Sequence, residues 1–358
     1  LISSRSVNVE MTQRYAGGLD DPSRLVSSFA GVSIEGSLES NAIMIRGNSP
    51  TGVLWQIEGV EVPTPSHFSN AEILGGGGIT LFSNNMLGTS DFFTSAFPAE
   101  FGNALSGVFD MKLRTGNNEK YEHAIQIGVL GLDVSSEGPF RKGGKASYLF
   151  NYRYSTMGLV KPFLPQSGLP IYQDLCFKLN FPTKKAGTFS IWGIGGISNF
   201  TTTPLNNIND WRTMEDRRKV NADFISGTTS LQHNIVLGAK TYLKTSITAS
   251  SNYQNTTEDI LDSLKSYNPN GEYNFHENRY SAKSVLNHKF GKRHTNRSGV
   301  SYTIVDYDYN MSNTSTGTFT EATKSKGNTS YVTAFSQSKI NISDKLTSTI
   351  GVSMLYLL

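Results

Sequence analysis

The clearest pattern in the chain is the alternation in IYQDLCFKLNFP, where Leu175, Phe177, Leu179 and Phe181 take one face of an extended segment and Asp174, Cys176, Lys178 and Asn180 the other. A period of two predicts a β-strand with one apolar and one polar face. KASYLFNYRYS repeats it, with Tyr148, Phe150, Tyr152 and Tyr154 opposed to Ser147, Asn151 and Arg153, and KLTSTIGVSMLY sets Leu346, Ile350, Val352, Met354 and Tyr356 on one side. Weaker runs occupy residues 123–136, 187–198, 221–236, 240–254, 277–290, 297–309 and 329–341. Together they predict about ten antiparallel strands, with no helical periodicity among them.

The connections sort by length. PFRKGGK, PTKKAG, LGAKT, FGKRHTN and NISDK are short, and they alternate with long segments: STMGLVKPFLPQSGLP, Asn199 to Lys219, NTTEDILDSLKSYNPNGEYNF and NMSNTSTGTFTEATKSKGN. A meander with tight turns at one rim and long loops at the other is the plan of an outer-membrane β-barrel. The short turns hold most of the local Lys, which suits a water-facing rim. A soluble all-β sandwich also alternates, but it points its apolar face into a core, uses shorter strands and does not segregate its turns. Tyr148, Tyr154, Tyr302 and Tyr356 fit a membrane-interface belt or ordinary strand positions, and taken one by one the ordinary strand position is the preferred reading.

Residues 1–118 do not alternate. Asp21 as a cap and Pro22 in the first turn predict a short helix over 22–29. Short apolar bursts follow, NAIMIRGNSP, GVLWQIEGVEVP, ITLFSNN and SGVFDMKLRTG, divided by Gly, Asn and Pro. They read as a small mixed α/β domain over 1–118, ahead of a strand-rich part over 119–358.

Composition removes several function classes. With 37% hydrophobic and 11% aromatic residues the chain is too apolar for disorder. Its 32 Lys and Arg against 29 Asp and Glu form no basic block, so no nucleic acid is expected as a partner. Cys176 is the only cysteine, and the six His, at 67, 123, 233, 276, 288 and 294, show no ligand spacing; no metal and no cofactor is expected. No stretch approaches the roughly 18 apolar residues of a membrane-spanning helix, so a membrane passage here requires a barrel.

GGGGITLF, from Gly75 to Phe82, lacks both the Lys-Ser/Thr of a phosphate loop and the spaced glycines of a dinucleotide fold, and reads as close backbone packing. Glu58 with Glu61, or Asp91 with Glu100, have no nucleophile or base beside them, so the chain is not expected to be an enzyme. LISSRSVNVE carries no signal-peptide pattern and LTSTIGVSMLYLL stops inside a strand, so the sequence reads as part of something longer.

Between residues 41 and 116 three motifs occur in order: Ile45, Arg46 and Gly47; then Glu58, Gly59 and Val60; then Glu100, Phe101, Gly102, Asn103, Ala104, Ser106 and Gly107. This succession resembles the plug domain of TonB-dependent outer-membrane receptors, especially the Bacteroidetes type. The resemblance implies a plug followed by the N-terminal portion of a transmembrane barrel, about ten strands of roughly 22. It implies energised uptake of a large nutrient ligand (chelated iron, cobalamin, a peptide or an oligosaccharide) across the outer membrane of a Gram-negative bacterium. Its partners would be a TonB-type energy-coupling complex, outer-membrane lipid and, in some relatives, a surface lipoprotein.

Arg46, Glu58 and Glu100 are then expected in ionic contacts between plug and barrel, and Gly47, Gly59, Gly102 and Gly107 in tight turns and close packing. His67, Phe68, Asn70, Phe82, Asn84 and Asn85 are expected on solute-facing loops. Two other readings stay open: a non-energised outer-membrane barrel, adhesin or structural, and a soluble all-β binding protein.

Overall fold

The computed structural model describes residues 4–7, 11, 21–34, 41–69, 79–128, 131–157, 170–314 and 317–358. In the first part, Asp21 accepts a hydrogen bond from the Ser23 backbone N–H at 2.8 Å, with Pro22 opening helix α1 (Pro22–Leu25) as its capping residues predict. The helix runs on as a 3₁₀ turn, Val26–Ser28. Around it lie strands β1 (Ser4–Val7), β2 (Val32–Ile34), β3 (Ile43–Ile45), β4 (Val53–Ile57), β5 (Val60–Glu61), β6 (Ser66–His67), β7 (Ile79–Thr80), β8 (Ser90–Phe93) and β9 (Gly107–Met111).

Five of these form one sheet in the order β1-β8-β9-β4-β5, parallel between β4 and β9 and antiparallel elsewhere. Its core is aromatic. Trp55 and Phe92 pack on Phe109 with ring centroids 5.3 and 5.4 Å away, among Val7, Ile57 and Met111.

The strand-rich part is a single antiparallel sheet of eleven strands in sequence order. They are β10 (Glu122–Ile127), β11 (Leu132–Pro139), β12 (Ser147–Tyr154), β13 (Ile171–Pro182), β14 (Thr188–Thr202), β15 (Arg218–Gly238), β16 (Thr241–Leu261), β17 (Tyr267–Lys289), β18 (His294–Asn313), β19 (Thr320–Asn341) and β20 (Thr347–Leu357). The predicted faces of β13 are present, and their direction is informative. Asp174, Cys176 and Lys178 are buried against the first part of the chain while Leu175 is 44% exposed on the outside.

Neighbouring strands keep this arrangement: Thr228, Ser230, Gln232 and Thr248 face inward and are buried, and Ile225, Leu231, Ile247 and Val300 are exposed. Polar side chains inside and apolar ones outside is the reverse of a soluble sandwich core and is the surface of a wall that meets hydrocarbon.

The structure corrects the sequence reading in three places. The run at 123–136 is not one strand but two paired antiparallel strands, β10 and β11, with Gly128 and Gly131 hydrogen-bonded to each other beyond their ends. Segments read as long loops after residues 254 and 309 are mostly strand: Asn255 pairs with Asn274 and Met311 with Thr323, leaving connections of only 262–266 and 314–319. Strands β15 to β19 run 20 to 23 residues, about twice what a tilted strand needs to cross a bilayer. Their polar far halves pair with each other because the ladder satisfies the backbone whatever the side chains are.

Candidate functional site

The first part of the chain is fastened to the inner face of the wall at two levels. At the level nearer the short turns, β4 and β5 are joined by Glu58 and Gly59, both at positive φ (54° and 77°), with Ile57 paired to Val60. Two central residues in this region make a type I′ turn, for which Gly59 is suited and Glu58 is not.

The turn's polar atoms compensate. The Glu58 carboxylate accepts from the Leu113 N–H at 2.8 Å and from Lys178 Nζ at 2.9 Å. The Glu58 carbonyl accepts from Gln232 Nε2 and Lys244 Nζ, at 3.1 and 2.6 Å, and the Gly59 carbonyl from Lys283 Nζ at 2.8 Å. One turn thus engages four wall strands, β13, β15, β16 and β17. Beside it Glu100 pairs with Arg297 at 2.6 Å, the Ala99 N–H donates to Gln337 Oε1 at 2.7 Å, and Asn103 donates to Glu61.

Arg46 departs from expectation. It is exposed, at φ 52° in the turn it shares with Gly47, and among the described residues it makes no ion pair with the wall. Gly102 ends a 3₁₀ turn, Ala99–Phe101, where a Cβ would collide with Ser353 of β20; at Gly107 a Cβ would strike Ile45 in the core.

At the second level, nearer the opposite rim, His67 is buried rather than on an open loop. Its Nε2 donates to Asp174 Oδ2 at 2.9 Å, and Arg153 grips the same carboxylate through Nε at 2.9 Å and its terminal nitrogen at 2.7 Å. Arg153 also donates to the Thr80 carbonyl, so wall strands β12 and β13 hold both β6 and β7. Burial holds the His67 imidazole below its usual range, with Asp174 opposing the shift. His67 therefore serves as a neutral donor.

Phe68 packs on Phe200 and Phe224 at 6.2 and 6.0 Å. Next to this cluster lies a cavity of about 310 Å³ lined by Ser66, Ser69, Phe224, Gln254, Phe275 and Tyr309, with Glu277 accepting from the Tyr309 hydroxyl. Aromatic faces with amide, hydroxyl and carboxylate groups between them suit a partly apolar ligand group.

Phe82 and Asn84 are buried and present no side chain to solvent; Asn85 is half-buried, its carbonyl accepting from Arg114 Nε at 2.7 Å. Asn70 and Gly75 to Gly78 lie outside the described residues. The sequence reading missed Arg153, Lys244, Lys283 and Gln232 as wall partners. For Gln232 and Lys244 the available signal was a long amide or charged side chain on a face with Thr228, Ser230, Ser246 and Thr248; Arg153 and Lys283 stand among mixed neighbours and gave no such signal.

Asp110, on β9, faces this interface with Oδ1 sealed from solvent and without a partner. Burial pushes its carboxyl up to about 6; Lys112 opposes the rise, and Glu100 and Asp91 add to it. A carboxyl raised above its unfolded value favours the fold while protonated. That contribution is complete below about pH 4 and is lost as pH climbs through about 6. Asp110→Asn is expected to remove this dependence and to stabilise the fold at neutral pH by about 2–3 kcal/mol. Urea unfolding at about pH 5 and about pH 8 checks it: the parent should lose more stability between the two than the variant does, and an equal loss in both would contradict it.

No protein-family model and no curated protein sequence matches the chain. Solved structures do. The pyoverdine outer-membrane receptor FpvA from Pseudomonas aeruginosa superposes with a TM-score of 0.71 at 12% identity, over 99% of this chain and 56% of that one. The fold is that of an outer-membrane receptor. The outer-membrane transporter YddB from Escherichia coli gives 0.62 at 13% identity, over 99% and 56%. The copper transporter OprC gives 0.66 at 10%, over 99% and 54%. The chain thus spans a little over half the length of these proteins.

Proposed function

We propose that the chain is the plug, residues 1–118, and the N-terminal part of the barrel, residues 119–358, of an energised outer-membrane transporter for a large solute. The observation that carries this reading is the wall's reversed patterning, apolar outside and polar inside, with a folded domain hydrogen-bonded to its inner face. The likeness to outer-membrane receptors and the order of the Ile45-Arg46-Gly47, Glu58-Gly59-Val60 and Glu100-to-Gly107 motifs support it. A domain fastened across the lumen blocks diffusion, so solute passes only when that domain is displaced, and displacement at two buried polar clusters needs an external source of work.

A TonB-type energy-coupling complex would supply that work, engaging a periplasmic segment of the protein by strand addition. The solute, a metal chelate, cobalamin, peptide or oligosaccharide, enters from the rim of long strands and meets Phe68, Phe200, Phe224, Phe275 and Tyr309. A surface lipoprotein, where present, would cover that rim, and outer-membrane lipid would surround the apolar belt.

The test is a reducible tether. Ala99→Cys with Gln337→Cys joins the first part of the chain to β19. Uptake of a labelled panel of these four solute classes should occur in cells carrying the parent protein, stop with a protonophore, stop when the tether is oxidised and return with reductant. Uptake indifferent to both protonophore and tether would leave a non-energised barrel.

A further inference from the structure

Charge is distributed unequally between the two rims of the wall. The five turns at residues 140–146, 183–187, 239–240, 290–293 and 342–346 hold nine Lys or Arg and a single acid, Asp344. Among the described residues, the connections at the other rim hold three Lys or Arg, Arg212, Arg217 and Lys265, against four acids, Asp210, Glu215, Asp216 and Asp262. The nine cations are all exposed, and among the described residues none is ion-paired within the chain.

Directly beside them the apolar belt ends in aromatics. Phe140 is 50% exposed, 5.2 Å from Phe181 and 5.7 Å from Tyr148 by ring centroids; Phe189 and Phe290 are exposed as well. Arg141 and Lys142 follow Phe140 immediately, and Lys292 and Arg293 follow Phe290 within three residues. At about 3.3 Å per residue, that step fits the headgroup layer outside a bilayer's hydrocarbon core.

We propose that this rim is a collar for anionic phospholipid headgroups, a proposal that rests on the reading of the wall as membrane-spanning. The geometry selects lipid over a compact anion. The five turns are spaced two strands apart, so the charges lie along an arc on the order of 40 Å. No small ligand spans that arc, and a row of headgroups does. Interfacial aromatics mark where acyl chains end, and cations just beyond them meet phosphate. The collar orients the wall and anchors its short-turn rim while the first part of the chain is displaced.

The experiment uses the intact protein in mixed vesicles with spin-labelled phosphatidylglycerol or phosphatidylcholine. Spectra resolve the motionally restricted lipid at the protein surface. Phosphatidylglycerol should be preferred by about fivefold for each cation engaged, the preference falling with salt. A variant with Arg141, Lys142, Lys184, Lys185, Lys292 and Arg293 changed to Gln should lose most of it. The far-rim variant Arg212→Gln, Arg217→Gln, Lys265→Gln should keep it.

Equal restriction of the two lipids by the parent, or equal loss in both variants, overturns the collar while leaving the membrane reading intact. Absence of restricted lipid of either kind overturns the membrane reading itself.

Discussion

Lys178→Ala is expected to loosen the first part of the chain from the wall by about 3–5 kcal/mol, the cost of stranding a buried charge. Lys178 and Glu58 have side chains only 8% and 13% exposed, and Lys178 also donates to the Leu113 carbonyl at 3.0 Å. Without the ammonium, the Glu58 carboxylate keeps only the Leu113 N–H, inside a turn where Glu58 already holds an unfavourable φ.

The double variant Lys178→Met, Glu58→Gln should recover much of the loss, because removing both charges of a buried pair is far cheaper than removing one. Hydrogen exchange at the amides of Val53 to Glu61 reads the effect directly. Protection there should fall in the single variant and largely return in the double. Equal protection in parent and single variant would mean that this turn does not hold the two parts together.

The second large effect is expected at Asp174→Ala. Asp174 is fully enclosed and is the shared acceptor for His67 and Arg153. Its loss leaves the Arg153 guanidinium inside with the Thr80 carbonyl as its remaining acceptor, again about 3–5 kcal/mol. The damage should appear as lost protection at β6, β7 and β12 rather than at the Glu58 turn. The two clusters share no partner, so the free-energy losses of Lys178→Ala and Asp174→Ala should add to within about 0.5 kcal/mol. Strong non-additivity would indicate that the domain docks as one rigid unit.

These residues also mark how far the sequence could be read. Period two in residues 171–182 identified the two faces of β13, because a strand's geometry forces alternation. Periodicity alone could not say which face turned inward, since a sandwich and a membrane wall share it. The helix at Pro22 was legible from Asp21, whose capping bond is local. His67 was read as a loop residue from its flanks, Pro63, Pro65 and Ser66, yet its burial is decided by Asp174, 107 positions away.

The far halves of β16 to β19 read as loops in the sequence because Asn, Asp and Glu are poor strand formers. In the sheet those residues have a partner on each side, and ladder hydrogen bonds override the preference. The Ile45-Arg46-Gly47 motif alone suggests an ionic role for Arg46; the left-handed turn it occupies leaves it exposed to solvent instead.

The central claim is that the outer face of this wall meets hydrocarbon and the inner face does not. Single variants Leu175→Cys, Ile225→Cys and Val300→Cys on the outer face, and Thr228→Cys and Ser230→Cys on the inner, can each be labelled with an environment-sensitive fluorophore and placed in vesicles with brominated acyl chains. Strong quenching at the three outer positions and little at the two inner ones is the predicted result. Equal quenching at all five, or none at Leu175, Ile225 and Val300, would contradict it.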